Sequence, residues 1–569
     1  MTTTRSPRSA LARSAALIAT STALIATAAP ALADDGHELI PGNLLVSRSV
    51  YDGKAPLTVG STMLPPGCTS NCAAANAGPE YPQVFDNDLI DESFGITSKI
   101  YLDELTPWGW PIDTIRVPNS EEPGVGPGGD QMVTSFSSKS ELALNLSTAN
   151  RYVTFMGYLA PVDAIDASNA NTPGVLDPTN PDTGTVYRVI AQLDKHGHFQ
   201  FTKTNAYSGN NGRAAILSEE EGANLLYTAG NAGNGSKPVP PGIITGAGAQ
   251  LMSPSSLPEL LQSPGLPTPL AAFNITQLGD KADKPSKDTN FRGLTISGKV
   301  VYLTKGSGSN GVNTVYFVDT TGKACPNGVG LPVPGAPLPS TPLPYTEEGL
   351  KKEMLSQDDM CILRGFPTEL KTKTHFPFGL WFANPSTLYV ADEGSGENAF
   401  SSTLGDYNEA AAQTEAGLQK WVFEPAAGEW KHSYTLQSGL NLGQPYTVPG
   451  YPSGENQITK LPWSPTTDGL RNLTGRVNRD GSATIWAITS TVSGGGDQGA
   501  DPNKLVAITD PVQSATPAPW ERFITLRHAG FGEVLRGVSF TPGAGEQGHE
   551  GRGENGQGHD GQGNGGHDR

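Results

Sequence analysis

Four arginines recur at one position of a repeating unit in this 569-residue chain. The residues that open successive copies are Leu142, Arg213, Arg292, Phe378, Arg471 and Arg536, and those that close the following strand are Glu104, Gly157, Gly230, Lys305, Asp392 and Thr489. The start of one strand and the end of its antiparallel successor lie at the same end of a hairpin, so the two series should meet at one rim. Guanidiniums gathered there suit bidentate capture of a phosphate or carboxylate. On this reading Arg213, Arg292, Lys305, Arg471 and Arg536 bind a small anion. His375, three residues before Phe378, and the neighbours Asp392 and Glu393 then act as general acid or base. A plainer reading ties each arginine to a carboxylate or a backbone carbonyl of the adjacent unit. Strand alternation puts Arg292 on the face of Leu294 and Ile296, and Arg536 on that of Val538 and Phe540, which is a packing face. A residue repeated in a repeat protein usually serves the repeat, so this second reading is preferred.

Other chemistry is sparse. Asp392-Glu393-Gly-Ser-Gly-Glu397 is oxygen-rich, and so is the loop SGGGDQGADPN with Asp497 and Asp501. Such loops suit calcium, although neither has the spacing of a defined calcium motif. Calcium is the cofactor these loops suggest, and nothing requires it. Asp177–Asp182 reads as a turn cluster, and His549, His559 and His567 near the C-terminus offer weak transition-metal ligands. There is no GxSxG nucleophile elbow and no HExxH. Four cysteines pair most simply as neighbours, Cys68 with Cys72 and Cys325 with Cys361, because each pair brackets a Pro/Gly-rich loop.

These residues are positioned by short strands joined by turns. The copies include LALNLSTANRYVTFMGY from Leu142, RGLTISGKVVYLTKG from Arg292, FGLWFANPSTLYVADE from Phe378 and RNLTGRVNRDGSATIWAITS from Arg471, with a further copy from Arg213. Their turns, SGK at 297–299, NPS at 384–386 and RDGS at 479–482, suit tight reversals. Two more strands commonly follow, as in TVYFVDTTG at 314–322 and at 418–436. Only Thr346–Gln357 and Glu409–Leu418 read as helices. Four-strand units at such spacing predict an all-β single β-propeller. The C-terminal RGVSFTP is a first strand without a blade, whereas the stretches from Gly42 and Lys99 are later strands without a first. Pairing them closes the ring and removes exposed sheet edges. The expectation is six blades, with a seventh possible in Val239–Asn290. A β-sandwich array is the alternative, but it does not explain the split repeat.

The segments Leu388-Tyr389-Val390-Ala391-Asp392 and Gly417-Leu418-Gln419-Lys420-Trp421 resemble the blade motifs of a family of secreted bacterial β-propeller proteins, over about residues 40–542. The resemblance implies the fold and no particular activity. The calcium-holding acidic clusters of phytase-type propellers have no clear counterpart.

The ends read differently. Arg5, Arg8 and Arg13, the apolar run Ala15–Ala29 and Ala31-Leu32-Ala33 have the form of a signal peptide cleaved after Ala33. That places the mature chain outside the cell, where disulfides persist. Residues 34–542 form the propeller, and Gly543–Arg569, almost purely Gly, Gln, Asn, His and charged residues, cannot bury a core. The net charge is −18. The basic leader and the acidic tail offset each other, so the propeller carries that acidity itself. This argues against nucleic acid and anionic membrane as partners. No apolar run beyond the leader approaches the ~20 residues of a membrane span. The expected function is a secreted, monomeric scaffold that binds a ligand or an extracellular protein. The alternative is a hydrolase or lyase acting on a small anion at the channel mouth.

Overall fold

A computed structural model describes residues 38–53, 61, 63–64, 73–74 and 95–543, apart from 177–181, 183, 221–223, 232–247, 255–270, 274–275, 278–280, 283–289, 307–311, 326, 340–359, 370–374, 452, 457–458 and 495–498. The leader, the tail, Cys68, Cys72, Asp497 and the helix expected at 346–357 lie outside the described residues.

Six antiparallel sheets form a six-bladed β-propeller. From the axis outward, blade 1 is Glu533–Phe540, Leu44–Val50, Thr97–Leu105 and Pro111–Arg116. Its innermost strand comes from the C-terminal part of the chain and the others from the N-terminal part, so this sheet closes the ring as the split repeat predicts. Blade 2 runs from Asn145–Leu146 through Tyr152–Tyr158 and Arg188–Asp194 to Phe199–Thr204. Blade 3 runs from Gly212–Ser218 and Leu225–Gly230 to Ala249–Met252 and Ala271–Phe273. Blade 4 begins with Phe291–Ser297, Val300–Lys305 and Thr314–Val318, then Met360–Leu363. Blade 5 comprises Pro377–Asn384, Thr387–Asp392, Gly417–Glu424 and Glu429–Leu436. Blade 6 comprises Thr466–Val477, Ser482–Val492, Lys504–Pro511 and Ile524–His528.

The stretch 239–290 supplies the outer strands of blade 3, so it holds no seventh blade among the described residues. The helix expected over Glu409–Leu418 is only Asn408–Ala412, because Gly417, at φ +121°, already starts the third strand of blade 5. Glu104 is also misplaced by the repeat alignment. It lies in the third strand of blade 1, and the residue equivalent to Lys305 and Asp392 there is Arg48, which pairs with Leu535. Cys325 and Cys361 are disulfide-bonded as expected, fastening the outer strand of blade 4 to the loop before it.

The inner strands approach backbone to backbone. The residue after each opener is Ala143, Ala214, Gly293, Gly379, Asn472 or Gly537. A Cβ on Gly293 would lie 2.0 Å from the Phe378 carbonyl oxygen, and one on Gly537 would lie 2.3 Å from that of Leu142. Hydroxyls of the second strands bridge these junctions. Ser47 Oγ accepts from Gly537 N at 2.8 Å and donates to Leu142 O at 2.8 Å, linking blades 1 and 2. Thr154 Oγ1 donates to Ala215 O at 2.5 Å, linking blades 2 and 3. Thr304 Oγ1 accepts from Gly293 N at 2.7 Å and donates to Phe378 O, linking blades 4 and 5. At the seam between blades 6 and 1, the Asn472 side-chain oxygen accepts from Val538 N at 2.7 Å.

Replacing Thr304 by Val keeps the shape but orphans a buried amide and a buried carbonyl. T304V is therefore expected to lower the unfolding free energy by about 1–3 kcal/mol, with T304S close to the parent. Chemical denaturation of the three proteins checks this.

Candidate functional site

The connections between consecutive strands divide the ring into two ends. First-to-second-strand turns are short, as at Gly298 and Lys299, both left-handed at φ +57° and +64°. The long connection from Val318 to Met360 runs at this short-turn end, but most of the long connections gather at the other end, where the arginine series begins. There the segment Phe136–Glu141, which joins blade 1 to blade 2, reaches across the axis. Its carbonyls at Phe136 and Ser138 accept from Arg536 of blade 1. Ser138 Oγ accepts from Asn211, just before blade 3, at 3.0 Å, and Ser140 Oγ from Arg292 of blade 4. Gly499, in a loop of blade 6, lies so close that a Cβ there would sit 1.6 Å from the Ser137 carbonyl oxygen.

The arginines divide into two groups. Arg213 donates to the Asn290 side chain, to Phe291 O at 3.1 Å and to Asn211 Oδ1 at 3.1 Å. Arg536 donates to the two carbonyls above and to Ser49 Oγ at 3.2 Å. Both hold loops and neighbouring blades. Arg292 and Arg471 instead converge on Glu393. Arg471 Nε is 3.2 Å from Glu393 Oε2 and an Arg292 nitrogen is 3.5 Å from Oε1. Lys139 Nζ, from the crossing segment, lies 3.8 Å from the same Oε1. Both guanidiniums and the carboxylate are buried, while Lys139 is about one-third exposed.

Charge balance sets the protonation states in this cluster. Burial pushes the Glu393 carboxyl up, but Arg292, Lys139 and Arg471 outweigh it and hold it at about 2. Burial pushes the Lys139 ammonium down to about 8, with Glu393 opposing and the two guanidiniums assisting. Asp468 is raised to about 6 by burial, against donors from Gly396 N at 2.8 Å and Gln413. Sequence spacing singles out neither Lys139 nor Asp468. Lys139 lies in a connecting loop without a repeat counterpart, and Asp468 precedes the aligned part of its strand.

Asp392 and His375 form an adjacent, separate group. Asp392 accepts from Phe376 N at 2.7 Å, Gly394 N at 3.0 Å and Gln419 Nε2 at 3.2 Å. Burial pushes its carboxyl up to about 8. His375 Nδ1 lies 3.6 Å from Asp392 Oδ2, and burial, with a smaller contribution from His432, depresses the imidazole to about 3. At neutral pH this pair is therefore an uncharged imidazole beside a largely protonated acid, both enclosed. Lys305 is fully buried and donates to Asn313 Oδ1 at 3.3 Å. Asp501 is buried and accepts from Tyr451 OH and Ser493 Oγ, each at 2.8 Å, with burial raising it to about 6.

The two blade motifs serve the same interior. In LYVAD, Tyr389 donates to Asp510 and Asp392 closes the second strand. In GLQKW, Gln419 reaches Asp392 and Lys420 pairs with Asp510 at 2.9 Å, both ions wholly buried. Trp421 stacks on Phe366 with ring centroids 3.9 Å apart. Lys420 and Asp510 belong to the third strands of blades 5 and 6, so the pair joins neighbouring blades.

No protein-family profile and no curated protein matches the chain. Among solved structures, a Saccharomyces cerevisiae assembly described as a Dbp5 variant bound to Nup159, a Gle1 variant, IP6 and ADP contains a chain that aligns over 90% of this one and all of its own length. It does so at 7% identity and a TM-score of 0.26. A structure described as NanB with Optactamide aligns over 90% of this chain and 82% of its own, at 10% identity and a TM-score of 0.19. Likenesses of that size carry no functional argument.

The shifts give stability opposite pH dependences. Glu393, depressed on folding, contributes stability that is present above its unfolded value and lost as pH falls toward about 2. Asp392, raised on folding, favours the fold most below its unfolded value, and this contribution is lost as pH rises through about 8. The stability of D392N relative to the parent is therefore expected to improve steadily from pH 4 to pH 8. Denaturant melts across that range measure it, and a pH-independent difference would mean that Asp392 is ionised throughout.

Proposed function

We propose that the chain is a secreted, monomeric binding scaffold. Its propeller holds the long loops of one end as a rigid recognition face for an extracellular partner, and it performs no covalent chemistry. One observation supports this most: the arginines whose spacing suggested a ligand site spend their donors inside the chain. Arg213 and Arg536 hold backbone and amide groups, while Arg292 and Arg471 close on Glu393. Cations committed in this way fix loops, and loops on a rigid frame are where recognition is usually carried. Export rests on the leader, and the Cys325–Cys361 disulfide is compatible with it. An anion at this mouth would have to displace Glu393 from two guanidiniums.

The test joins stability and turnover. R292A leaves Glu393 short of a buried partner and is expected to cost about 3–5 kcal/mol of stability. The purified mature chain should turn over no phosphomonoester, uronic-acid glycoside or lactone, with or without calcium. Robust turnover that R292A abolishes while leaving the fold intact would overturn the proposal.

A further inference from the structure

The opposite end of the axis is built differently. Beneath the short turns, the channel widens into a concave funnel of about 1280 Å³ lined by residues from the innermost strands of all six blades. All six blades contribute apolar side chains to its wall, among them Leu146, Ile216, Ile296, Trp381, Leu473 and Phe540. Trp381 is set there by two contacts. It stacks on Tyr389 with ring centroids 5.9 Å apart. It also lies against Gly475, where a Cβ would come within 2.6 Å of the indole. Arg476 and Arg479 stand at the mouth, both exposed, and no carboxylate lines the funnel among the described residues. Neither arginine makes a hydrogen bond or an ion pair among the described residues. Arg476 rests its guanidinium over Trp486 and Phe540, 5.7 and 5.9 Å from the ring centroids.

In a chain of net charge −18 this contrast matters. Guanidiniums at the long-loop end are neutralised or tied to backbone, whereas these two are left to solvent above a cavity with apolar side chains in its wall. A concave site that joins apolar and aromatic side chains to polar groups can hold both ends of a small amphiphile, and cations not offset by carboxylates concentrate anions at the mouth. We propose that the funnel binds an amphiphilic organic anion, with its aromatic or aliphatic body against Trp381, Leu380 and Phe540 and its carboxylate or sulfonate between Arg476 and Arg479. This does not depend on which partner the long-loop face takes.

The full-length protein is titrated with 2-naphthoate, with 2-naphthylmethanol as the uncharged match and inorganic phosphate as the anion without a body. Tryptophan fluorescence and calorimetry report binding, and circular dichroism melts confirm the fold. Naphthoate is expected to saturate one site, at least tenfold more tightly than either comparison ligand, and to weaken as salt is raised. The double variant R476Q/R479Q should lose tenfold or more in naphthoate affinity while its naphthylmethanol affinity and melting temperature stay put. W381L should weaken both naphthyl compounds. The proposal is overturned if naphthoate does not saturate, if R476Q/R479Q binds it like the parent, or if phosphate matches naphthoate. A self-associating chain that naphthoate dissociates would also overturn it, because a second copy would then be the occupant.

Discussion

The molecule depends on how closely its innermost strands approach round the axis. Backbone meets backbone between blades, which leaves no room for side chains at Gly293, Gly379 and Gly537 and makes second-strand hydroxyls the natural bridge. Ser47, Thr154 and Thr304 each carry a hydrogen bond from one sheet to the next. Buried backbone groups must be paired, and a radial array of separate sheets would otherwise leave such groups facing each other unsatisfied at the hub. The arginines extend the same logic outward, reaching from an opening residue to the loops, carbonyls or carboxylate of another blade.

This explains why the long-loop end is rich in charge yet largely committed. Glu393 sits among three cations and remains ionised, whereas Asp392, one residue earlier, faces amides and a neutral imidazole and holds its proton. Asp392 is the last residue of its strand and Glu393 the first beyond it, so one sequence step separates a carboxylic acid from a carboxylate. The Lys420–Asp510 pair repeats the device between blades 5 and 6 with hydroxyl support from Tyr389 and Tyr434. Removing either ion would leave the other buried and uncompensated.

Much of the ring is legible in the sequence because period-two alternation and tight turns are local signals. The split repeat marks the closing blade through Arg536–Pro542 and the strands from Gly42 and Lys99. The register of blade 1 is not legible. Glu104 aligns where Arg48 belongs, since the connection before Thr97 is long and hides which N-terminal strand comes second. The preference for arginines that tie blades together follows from the face shared by Arg292, Leu294 and Ile296. Their convergence on Glu393 cannot be read, because it needs three-dimensional crossing of a loop that carries Lys139. The funnel is hidden for a related reason: its wall takes a few residues from each blade, so no contiguous motif announces it.

The closing blade has a consequence for how the chain is made. Leu44–Val50 emerges from the ribosome among the first strands and must wait for Glu533–Phe540, among the last, before its inner edge is paired. Through most of synthesis, therefore, the ring is an open arc with an unfilled strand edge at its start. The salt-bridged trio of Arg48, Asp103 and Glu533, which latches that seam, can assemble only once the two halves of the blade meet. A growing polypeptide of this design stays unlocked until its final strand is available.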